Sequence, residues 1–423
     1  MTKITDVRAR QVLDSRGDPT VEAEVVTPVS VGRASVPSGA SKGKHEALEL
    51  RDGDNRWFHG KGVTKAVSNV VKMIGPRVSG LDSADLRKVD ATMIRADGTP
   101  NKGRLGANAI LAVSMASARA AANSRAVSLF AQLRKSRTYS LPVPMMNVIN
   151  GGEHAGNDLA IQEFLIEPVG AKSCTEAVRM GSEVYHSLKS VLIAELGRGA
   201  INVGDEGGFA PPLKRTRDAL ELIRRAVADS GYGEEEVRLG IDAASSTFYD
   251  GKKGAYAIDG KEVKEDVLED LYASLRDEFN LLTLEDPFRE EAFQAFASIT
   301  KRLGPKSKII GDDIYVTNVK RMREGIRVKA TNAALIKLNQ IGTISETEDA
   351  IDLARRAGWT VAVSHRSGET EDPFIAHLAT AFGSEFIKSG APARGERIAK
   401  YNELLRIEEE LGTRARFAGR GFA

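Results

Sequence analysis

Short apolar runs that reach a charged residue recur through the second half of the chain. Three of them, LLTLEDPF, KIIGDDIYVTN and AALIKLNQIG, lie between Leu281 and Gly342 and reach Glu285, Asp312 and Lys337. Runs of four or five apolar residues are typical of buried parallel strands rather than of helices. The three charged residues are 27 and 25 positions apart, which leaves room for a strand, a loop and a helix. The spacing therefore predicts consecutive βα units.

The same rhythm continues on both sides of this stretch. RLGIDAAS places Asp242 at the end of a run 43 positions before Glu285, TVAVSHRSG ends in His365 and Arg366, and EFIKSG ends near Lys388. In a closed βα barrel the C-terminal ends of the strands converge on one mouth, where active sites lie. We therefore predict a βα barrel whose mouth collects these charged residues.

The first part of the chain follows a different pattern. Residues 3–36 alternate as strands do, and residues 62–122 change to a helical pattern with many small residues. This predicts a smaller α+β domain beside the barrel. The predicted divisions are an N-terminal α+β domain over 1–127, a linker over 128–140 and a catalytic barrel over 141–423.

Several loops have unusual composition. The stretch VPSGASKGKHE (36–46) has almost no apolar side chains, and two interpretations stay open: a solvated connection, or a mobile lid over a site. Further along, Gly-rich loops hold His154, Gln162, Glu163 and Glu206. Glycine next to charged residues permits close backbone approach that other residues forbid.

Three expectations concern chain ends and helix ends. Thr317 is predicted to begin one helix, and Ser345 with Glu348 is predicted to form a capping box. The tail ARFAGRGFA is expected to be loose.

Composition narrows the class of protein. The 60 Lys and Arg balance the 58 Asp and Glu, which gives no basic surface for nucleic acid. The single cysteine, Cys174, excludes an intrachain disulfide and a cysteine metal cage. The first twenty residues lack the apolar core of a signal peptide, and no apolar stretch approaches the ~20 residues that span a bilayer. We expect a cytoplasmic protein without a nucleic-acid or membrane partner.

The charged strand ends indicate a metal site. Asp242, Glu285 and Asp312 form an all-oxygen set, which a hard ion such as Mg²⁺ fits better than zinc does. The alternative for each carboxylate is a helix cap, and for Lys337, a lysine that reaches the barrel rim. Beside a divalent cation, burial and like charge lower the pKa of a lysine, which can then act as a base.

The remaining polar residues complete a reaction class. Of Glu163 and Glu206, one is free to stay protonated as an acid, while Arg366 and Ser367 offer a guanidinium and a hydroxyl for a phosphate and Lys388 adds a cation. A metal, a base, an acid and an anion clamp suit proton abstraction next to a carboxylate. Protonation of a leaving group on the neighbouring carbon then completes a β-elimination of water.

The sequence resembles the enolases over nearly its whole length. The matching stretches are VLDSRGDPTVEAEV, PSGASKGKHEALELRDGD, GANAILAVSMA, MNVINGGEHAGN, IQEFLIEP, NVGDEGGFAP, LEDPF, GDDIYVTN, IKLNQIGT, SHRSGETED and IKSGAPARGERIAKYNELLRIEEELG. The resemblance implies a hydro-lyase that reversibly dehydrates 2-phospho-D-glycerate to phosphoenolpyruvate, in glycolysis and gluconeogenesis. It also implies a barrel that begins with a ββαα unit before the βα units, and a homodimer or octamer.

The resemblance also implies a role for each matched residue. Two Mg²⁺ ions are expected per site, one bound by Asp242, Glu285 and Asp312 and a second, catalytic one held with the help of Ser38. Lys337 is the expected base and Glu206 the expected acid, with Glu163 beside it. The residues expected to contact substrate or line its pocket are His154, Gln162, Lys337, His365, Arg366, Ser367 and Lys388.

Two rival interpretations remain. Another barrel enzyme of the same superfamily, a racemase or cycloisomerase, usually lacks the VPSGAS and SHRSGETED stretches found here. A surface receptor that binds plasminogen through C-terminal lysines would place the protein at the cell surface, or secreted without a signal peptide. This chain ends RGFA, so that lysine is absent.

Overall fold

The alternating residues near the N-terminus form a three-stranded antiparallel sheet. The computed structural model describes residues 1–39 and 43–422 of the chain. The sheet contains β1 (Asp6–Leu13), β2 (Pro19–Val26) and β3 (Val31–Ser35), in that spatial order. The helices that follow are α1 (Thr64–Asn69), α2 (Gly75–Val78), α3 (Leu86–Asp97), α4 (Ala107–Arg125) and α5 (Leu129–Leu133), with a π-helical turn (Val70–Ile74) between α1 and α2.

Small residues explain how α4 packs on this sheet. A Cβ atom at Gly32 of β3 would lie 2.2 Å from the Ala116 carbonyl oxygen and 2.2 Å from the Ala120 nitrogen, so a glycine is needed there. Only a helix with short side chains can approach a sheet this closely. The small-residue pattern therefore positions α4 as the central helix of the N-terminal domain.

The second part of the chain closes into an eight-stranded barrel. Its strands, in chain order, are β5 (Val143–Asn150), β6 (Glu163–Glu167), β7 (Arg238–Asp242), β11 (Thr283–Glu285), β12 (Lys308–Gly311), β13 (Ala333–Ile336), β14 (Thr360–Ser364) and β15 (Phe386–Lys388). Smaller sheets are formed by β4 (Tyr139–Leu141) with β16 (Ala415–Phe417), and by β8 (Tyr249–Asp250), β9 (Ala255–Ile258) and β10 (Lys261–Val263). The helices around the barrel are α6 (Cys174–Leu196), α7 (Thr216–Asp229), α8 (Glu265–Phe279), α9 (Phe293–Leu303), α10 (Val319–Val328), α11 (Leu338–Ile341), α12 (Ile344–Arg356), α13 (Phe374–Phe382) and α14 (Gly395–Leu411).

The barrel begins with the ββαα unit that the resemblance implies. Strand β6 runs antiparallel to both of its neighbours, β5 and β7, and all other adjacent pairs are parallel. Because β6 is reversed, its first residue, Glu163, pairs with Asp242 at the mouth, and its last residue, Glu167, pairs with Arg238 at the floor. The predicted α/β barrel with a smaller α+β domain is confirmed.

Two predicted helix starts are wrong by one or two residues. Asn318 caps α10, with its side chain accepting from the Lys320 amide, while the Thr317 hydroxyl accepts from the Lys337 amide at 2.9 Å. Thr343, and not Ser345, caps α12: its hydroxyl accepts from the Glu346 amide and donates to the Glu346 carboxylate. In both places a tertiary hydrogen bond uses the hydroxyl that the sequence pattern assigned to a cap.

Ser345 instead joins the two domains. Its amide and hydroxyl both donate to the buried carboxylate of Asp90 on α3, at 3.0 and 2.6 Å. Arg119 of α4 makes a second connection, an ion pair with Asp372 that follows β14. These bonds fix the N-terminal domain against the barrel.

The tail is ordered through Phe422, contrary to the expectation of a loose end. Strand β16 pairs with β4, placing Phe417 beside Leu141. The Phe422 ring lies 4.7 Å from the Phe386 ring of β15. Packing of Phe417, which is buried, and of Phe422, which is partly buried, holds the segment in place. Among the described residues, no helix is long and apolar enough to cross a membrane.

Candidate active site

The predicted site residues converge at the mouth of the barrel. One pocket there is lined by His154, Gln162, Glu163, Glu206, Asp242, Ala244, Asp286, Asp312, Asp313, Lys337, Ser364, His365, Arg366, Ser367 and Lys388. Of the residues predicted from the sequence, Glu285 and Ser38 do not line it. Glu285 nevertheless pairs with Lys388, which lines the pocket, and Ser38 bonds to Gly368, the neighbour of the pocket residue Ser367.

Lys388 draws three carboxylates together beneath the pocket. Its Nζ lies 2.7 Å from Asp242, 2.9 Å from Glu285 and 3.1 Å from Glu163. Burial would lower the pKa of Lys388, but the three facing carboxylates raise it well above its usual value. Burial raises the pKa of Glu285 well above its ordinary range, and Asp242 adds to the shift. The site therefore holds more carboxyl groups than one lysine could neutralise if all of them were ionised.

This donor set fits Mg²⁺. Asp242, Glu285 and Asp312 follow or end three adjacent strands and offer only oxygen ligands, which Mg²⁺ prefers. The Glu285 Oε1 atom is buried and has no hydrogen-bond partner among the described residues. A buried carboxylate oxygen without a donor is costly unless a cation satisfies it. Asp286 supports the set from behind, accepting from the Asp312 amide at 2.9 Å.

Lys337 is paired with one of these carboxylates. Its Nζ donates to Asp312 Oδ2, and Gln340 donates to the other Asp312 oxygen at 2.9 Å. Burial would lower the pKa of Lys337, but the Asp312 carboxylate outweighs it and raises the pKa above its ordinary value. The same pair lowers the pKa of Asp312 despite its burial. In this arrangement Lys337 carries a proton.

The acid side of the pocket lies across the barrel from Lys337. Strands β13 and β6 are four places apart in the ring of eight, so Lys337 and Glu163 stand on opposite walls. The nearest ligand atoms of His154, Glu163 and Glu206 lie within 4.8 Å of one another. Asn147 on β5 donates to Glu206 Oε2 at 3.0 Å. Two carboxyl groups this close share one proton.

The proton of this pair rests on Glu163. Burial raises the pKa of Glu163 well above its usual range, and the neighbouring Glu206 carboxylate adds to the shift. Burial would also raise the pKa of Glu206, but the rings of His365 and His154 favour the ionised form and hold the pKa well below its usual range. Burial lowers the pKa of His365 to about 3 against the opposing effect of Glu206, so its imidazole is neutral.

The predicted anion clamp lies at the end of β14. Arg366 bonds both oxygens of Glu46, at 3.0 and 3.1 Å, and also donates to the Asn339 side chain. The Ser367 hydroxyl lies 3.5 Å from the Arg16 guanidinium. Gln162, on the opposite wall, is held through its amide by the Asp242 carbonyl at 3.1 Å. The Arg366 guanidinium is thus held at the pocket rim by Glu46 and Asn339.

Ser38 lies behind the clamp. Its backbone forms a two-way bridge with Gly368, and its hydroxyl donates to Asp14 at 2.7 Å and accepts from Arg16 at 3.2 Å. Residues 40–42 of the predicted lid lie outside the described residues. Beyond them, the Lys44 amide donates to Glu290 at 3.2 Å.

Several site residues are absent from the sequence-based prediction. Asp286 and Asp313 directly follow predicted residues, while Asn147, Glu46 and Arg397 each lie several positions from the nearest one. Doubled acidic residues after strands, as in LEDPF and GDDIY, are a signal that could have identified Asp286 and Asp313. For Arg397, in the middle of a helix, the sequence offers no comparable signal.

Comparison with known proteins decides the family. The model of the enolase C-terminal TIM barrel domain matches residues 138–423, and that of the enolase N-terminal domain matches residues 4–133. The chain belongs to the enolase family. Enolase of Methanocaldococcus jannaschii is 58% identical over 99% of this chain and 98% of its own length. Enolases of Thermococcus kodakarensis and Pyrococcus furiosus are 55% and 54% identical, over the same shares of each chain.

Family membership establishes the reaction. The chain is a Mg²⁺-dependent hydro-lyase that dehydrates 2-phosphoglycerate to phosphoenolpyruvate in glycolysis. Its small-molecule substrate carries a phosphate and a carboxylate, and the pocket presents positively charged side chains as well as carboxylates that suit the metal. The β-elimination predicted from the residues is therefore the reaction of the family.

Proposed function

We propose that Lys337 removes the C2 proton of 2-phosphoglycerate and that Glu206 protonates the departing hydroxyl group. The observation that carries this assignment is the placement of an amine and a carboxyl pair on opposite walls of one pocket. The electron pair left at C2 forms the double bond to C3 as the C3–O bond breaks. The products are phosphoenolpyruvate and water, so atoms and charge balance.

The metal and the clamp have separate tasks in this proposal. Asp242, Glu285 and Asp312 would hold one Mg²⁺, and Ser38 would contribute to a second. When bound, Mg²⁺ supplies positive charge to the substrate carboxylate, whose negative charge doubles as C2 loses its proton. Arg366 and Ser367 would orient the phosphate at the rim, with Gln162, His154, His365 and Lys388 lining the rest of the substrate pocket.

Glu206 is the better placed of the two carboxyls to donate. Lys388 holds Glu163 at 3.1 Å, on the side of the metal ligands. Glu206 faces His154 and His365 on the far wall. Glu163 would then store the proton at rest and pass it to Glu206, since one carboxyl oxygen of each residue lies within 4.8 Å of the other.

Two half-reactions test the assignment. Lys337→Ala should abolish both the overall reaction and exchange of the C2 hydrogen with deuterated water. Glu206→Gln should lower elimination by on the order of 10²–10⁴-fold, as for a missing general acid, while C2 exchange stays measurable. Glu167→Gln is the matched control, because Glu167 lies on the same strand as Glu163 but at the barrel floor. Mg²⁺ binding must be intact in each variant. Exchange lost in Glu206→Gln but kept in Lys337→Ala would reverse the two roles.

The proposal also covers the oligomeric state, the cellular location and the boundary between the two domains. We propose a homodimer or octamer, which light scattering of the purified protein would measure, and a cytoplasmic location, which cell fractionation would test. Limited proteolysis would check the proposed division at residues 128–140, which contains α5 and the start of β4.

A further inference from the structure

Arg397 is a fully buried cation that touches two loops of the active site at once. It lies in the first turn of α14, with no exposed surface. Nη1 donates to His365 Nδ1 at 2.7 Å and to the Arg366 carbonyl at 2.7 Å. Nη2 donates to the Asp205 carbonyl at 3.0 Å and to the Ser367 carbonyl at 2.5 Å. One guanidinium thus connects the loop of the proposed acid to the loop of the anion clamp.

The contact with His365 selects one form of the imidazole. A guanidinium can only donate, so His365 Nδ1 must accept and cannot carry a proton. The proton of the neutral ring is then on Nε2, which lies 3.4 Å from Glu206 Oε1. In a neutral histidine, the hydrogen bond made by one ring nitrogen determines whether the opposite nitrogen carries the proton. Arg397 therefore determines that His365 presents a donor to Glu206.

The backbone around Arg397 is built to keep this geometry. Gly390 has a φ of +76°, and a Cβ atom there would lie 2.9 Å from Arg397 Cδ and 2.7 Å from the Glu206 carbonyl oxygen. The Glu206 carbonyl also accepts from the Ala391 amide at 2.9 Å. The segment after β15 thus packs directly between α14 and the loop of the proposed acid.

We propose that Arg397 is a positioning residue for the acid half of the reaction, acting through the tautomer of His365. This rests on the proposed role of Glu206 as proton donor. With the Nε2 proton directed at it, Glu206 is held in one orientation toward the pocket. With the proton on Nδ1, the nitrogen facing Glu206 would be an acceptor, so it would repel the ionised carboxylate or bind the proton of the acid form in place of the substrate hydroxyl.

The first test uses the unaltered enzyme. Protein labelled with ¹⁵N at histidine alone gives signals from six residues, and His365→Gln assigns the signal of interest. We expect Nδ1 of His365 to resonate as an unprotonated nitrogen and Nε2 as a protonated one. A protonated Nδ1 in the wild-type enzyme would overturn the proposal, whatever the variants do.

The second test separates positioning from general support of the fold. Arg397→Lys keeps the charge but cannot hold both loops, and elimination at saturating substrate should fall roughly 10–100-fold, as for other residues that orient a catalytic group. C2 exchange at saturating substrate should keep its wild-type rate, because Lys337 lies on the opposite wall. If the variant only weakened phosphate binding by Arg366 and Ser367, KM would rise for both reactions. The ratio of elimination to C2 exchange at saturating substrate would then stay unchanged.

Lys400→Met is the matched control. Lys400 is equally buried, lies one turn further along α14 and donates to Glu369 at 2.7 Å, but does not touch His365. It should leave the His365 tautomer and the ratio of elimination to exchange unchanged. Equal losses of exchange and elimination in Arg397→Lys would refute the positioning role. If Glu206→Gln retains elimination, the proposed role of Glu206 as the acid is wrong. The ¹⁵N signals of His365 would still show whether Arg397 fixes the tautomer of His365.

Discussion

A buried carboxyl group at the barrel floor should make the stability of this protein fall as pH rises. Glu167 is fully buried, and its Oε1 accepts from the Thr283 hydroxyl at 2.6 Å. Its second carboxyl oxygen has no partner within residues 1–39 and 43–422. Burial raises the pKa of Glu167 to about 8, against the opposing effects of Thr283 and Arg238. The folded protein therefore keeps this group protonated at neutral pH.

The sign and size of the effect follow from linkage. The unfolded chain loses this proton near pH 4.5, whereas the folded chain keeps it up to about pH 8. Below the lower value both states are protonated and the contribution to stability is complete. Between the two values each pH unit removes about 1.4 kcal/mol from the free energy of unfolding. Over the whole interval, Glu167 therefore loses a contribution of about 5 kcal/mol to the free energy of unfolding, and the loss is complete once the pH has passed the folded pKa.

Glu167→Gln should remove this dependence. The amide keeps an oxygen for the Thr283 hydroxyl and imitates the protonated carboxyl in shape. Urea unfolding of wild type and variant from about pH 5 to pH 8 should give curves that diverge by about 4 kcal/mol in favour of the variant at the alkaline end. Glu409→Gln, at an exposed glutamate on α14, should run parallel to wild type. Parallel curves for Glu167→Gln as well would refute the reasoning.

Two further predictions concern ligands. Asp312→Ala should weaken Mg²⁺ binding to the free enzyme at least about tenfold, since even residues that only orient ligands contribute that much; unchanged affinity in a calorimetric titration would contradict the metal assignment. Amide hydrogen exchange over the Ser38–His45 segment should slow only when Mg²⁺ and a substrate analogue are present together. Equal protection with and without ligands would exclude a lid.

The sequence made the barrel and most of its pocket predictable for one physical reason. Strands buried on both sides are short and apolar, so a charged residue at the end of each is conspicuous, as with Asp242 and Glu285. The parallel arrangement then brings all such ends to one mouth. Chemistry that depends on residue type and strand position can therefore be inferred from the amino-acid sequence alone. The antiparallel strand β6 is harder to predict, because Glu163 lies at its beginning and not at its end.

The residues that the sequence does not reveal depend on distant contacts. Arg397 looks like one more charged residue of an amphipathic helix, and only the folded chain places it against His365. Glu46 lies 320 positions before the Arg366 it binds. The predicted caps at Thr317 and Ser345 are wrong for the same reason, since a partner from another element takes each hydroxyl. A local sequence pattern cannot show that a residue distant in the chain will form a hydrogen bond with the same side chain in the folded protein.

The pairing of Lys337 with Asp312 connects the two halves of the proposed mechanism. A lysine that keeps its proton cannot remove another, and the Asp312 carboxylate is what holds that proton on Lys337. Asp312 is also a proposed magnesium ligand, and a carboxylate committed to a cation neutralises an ammonium less well. Burial of Lys337, which by itself lowers its pKa, would then prevail. In the proposed mechanism, the same residue, Asp312, therefore holds the metal and determines when Lys337 can act as the base.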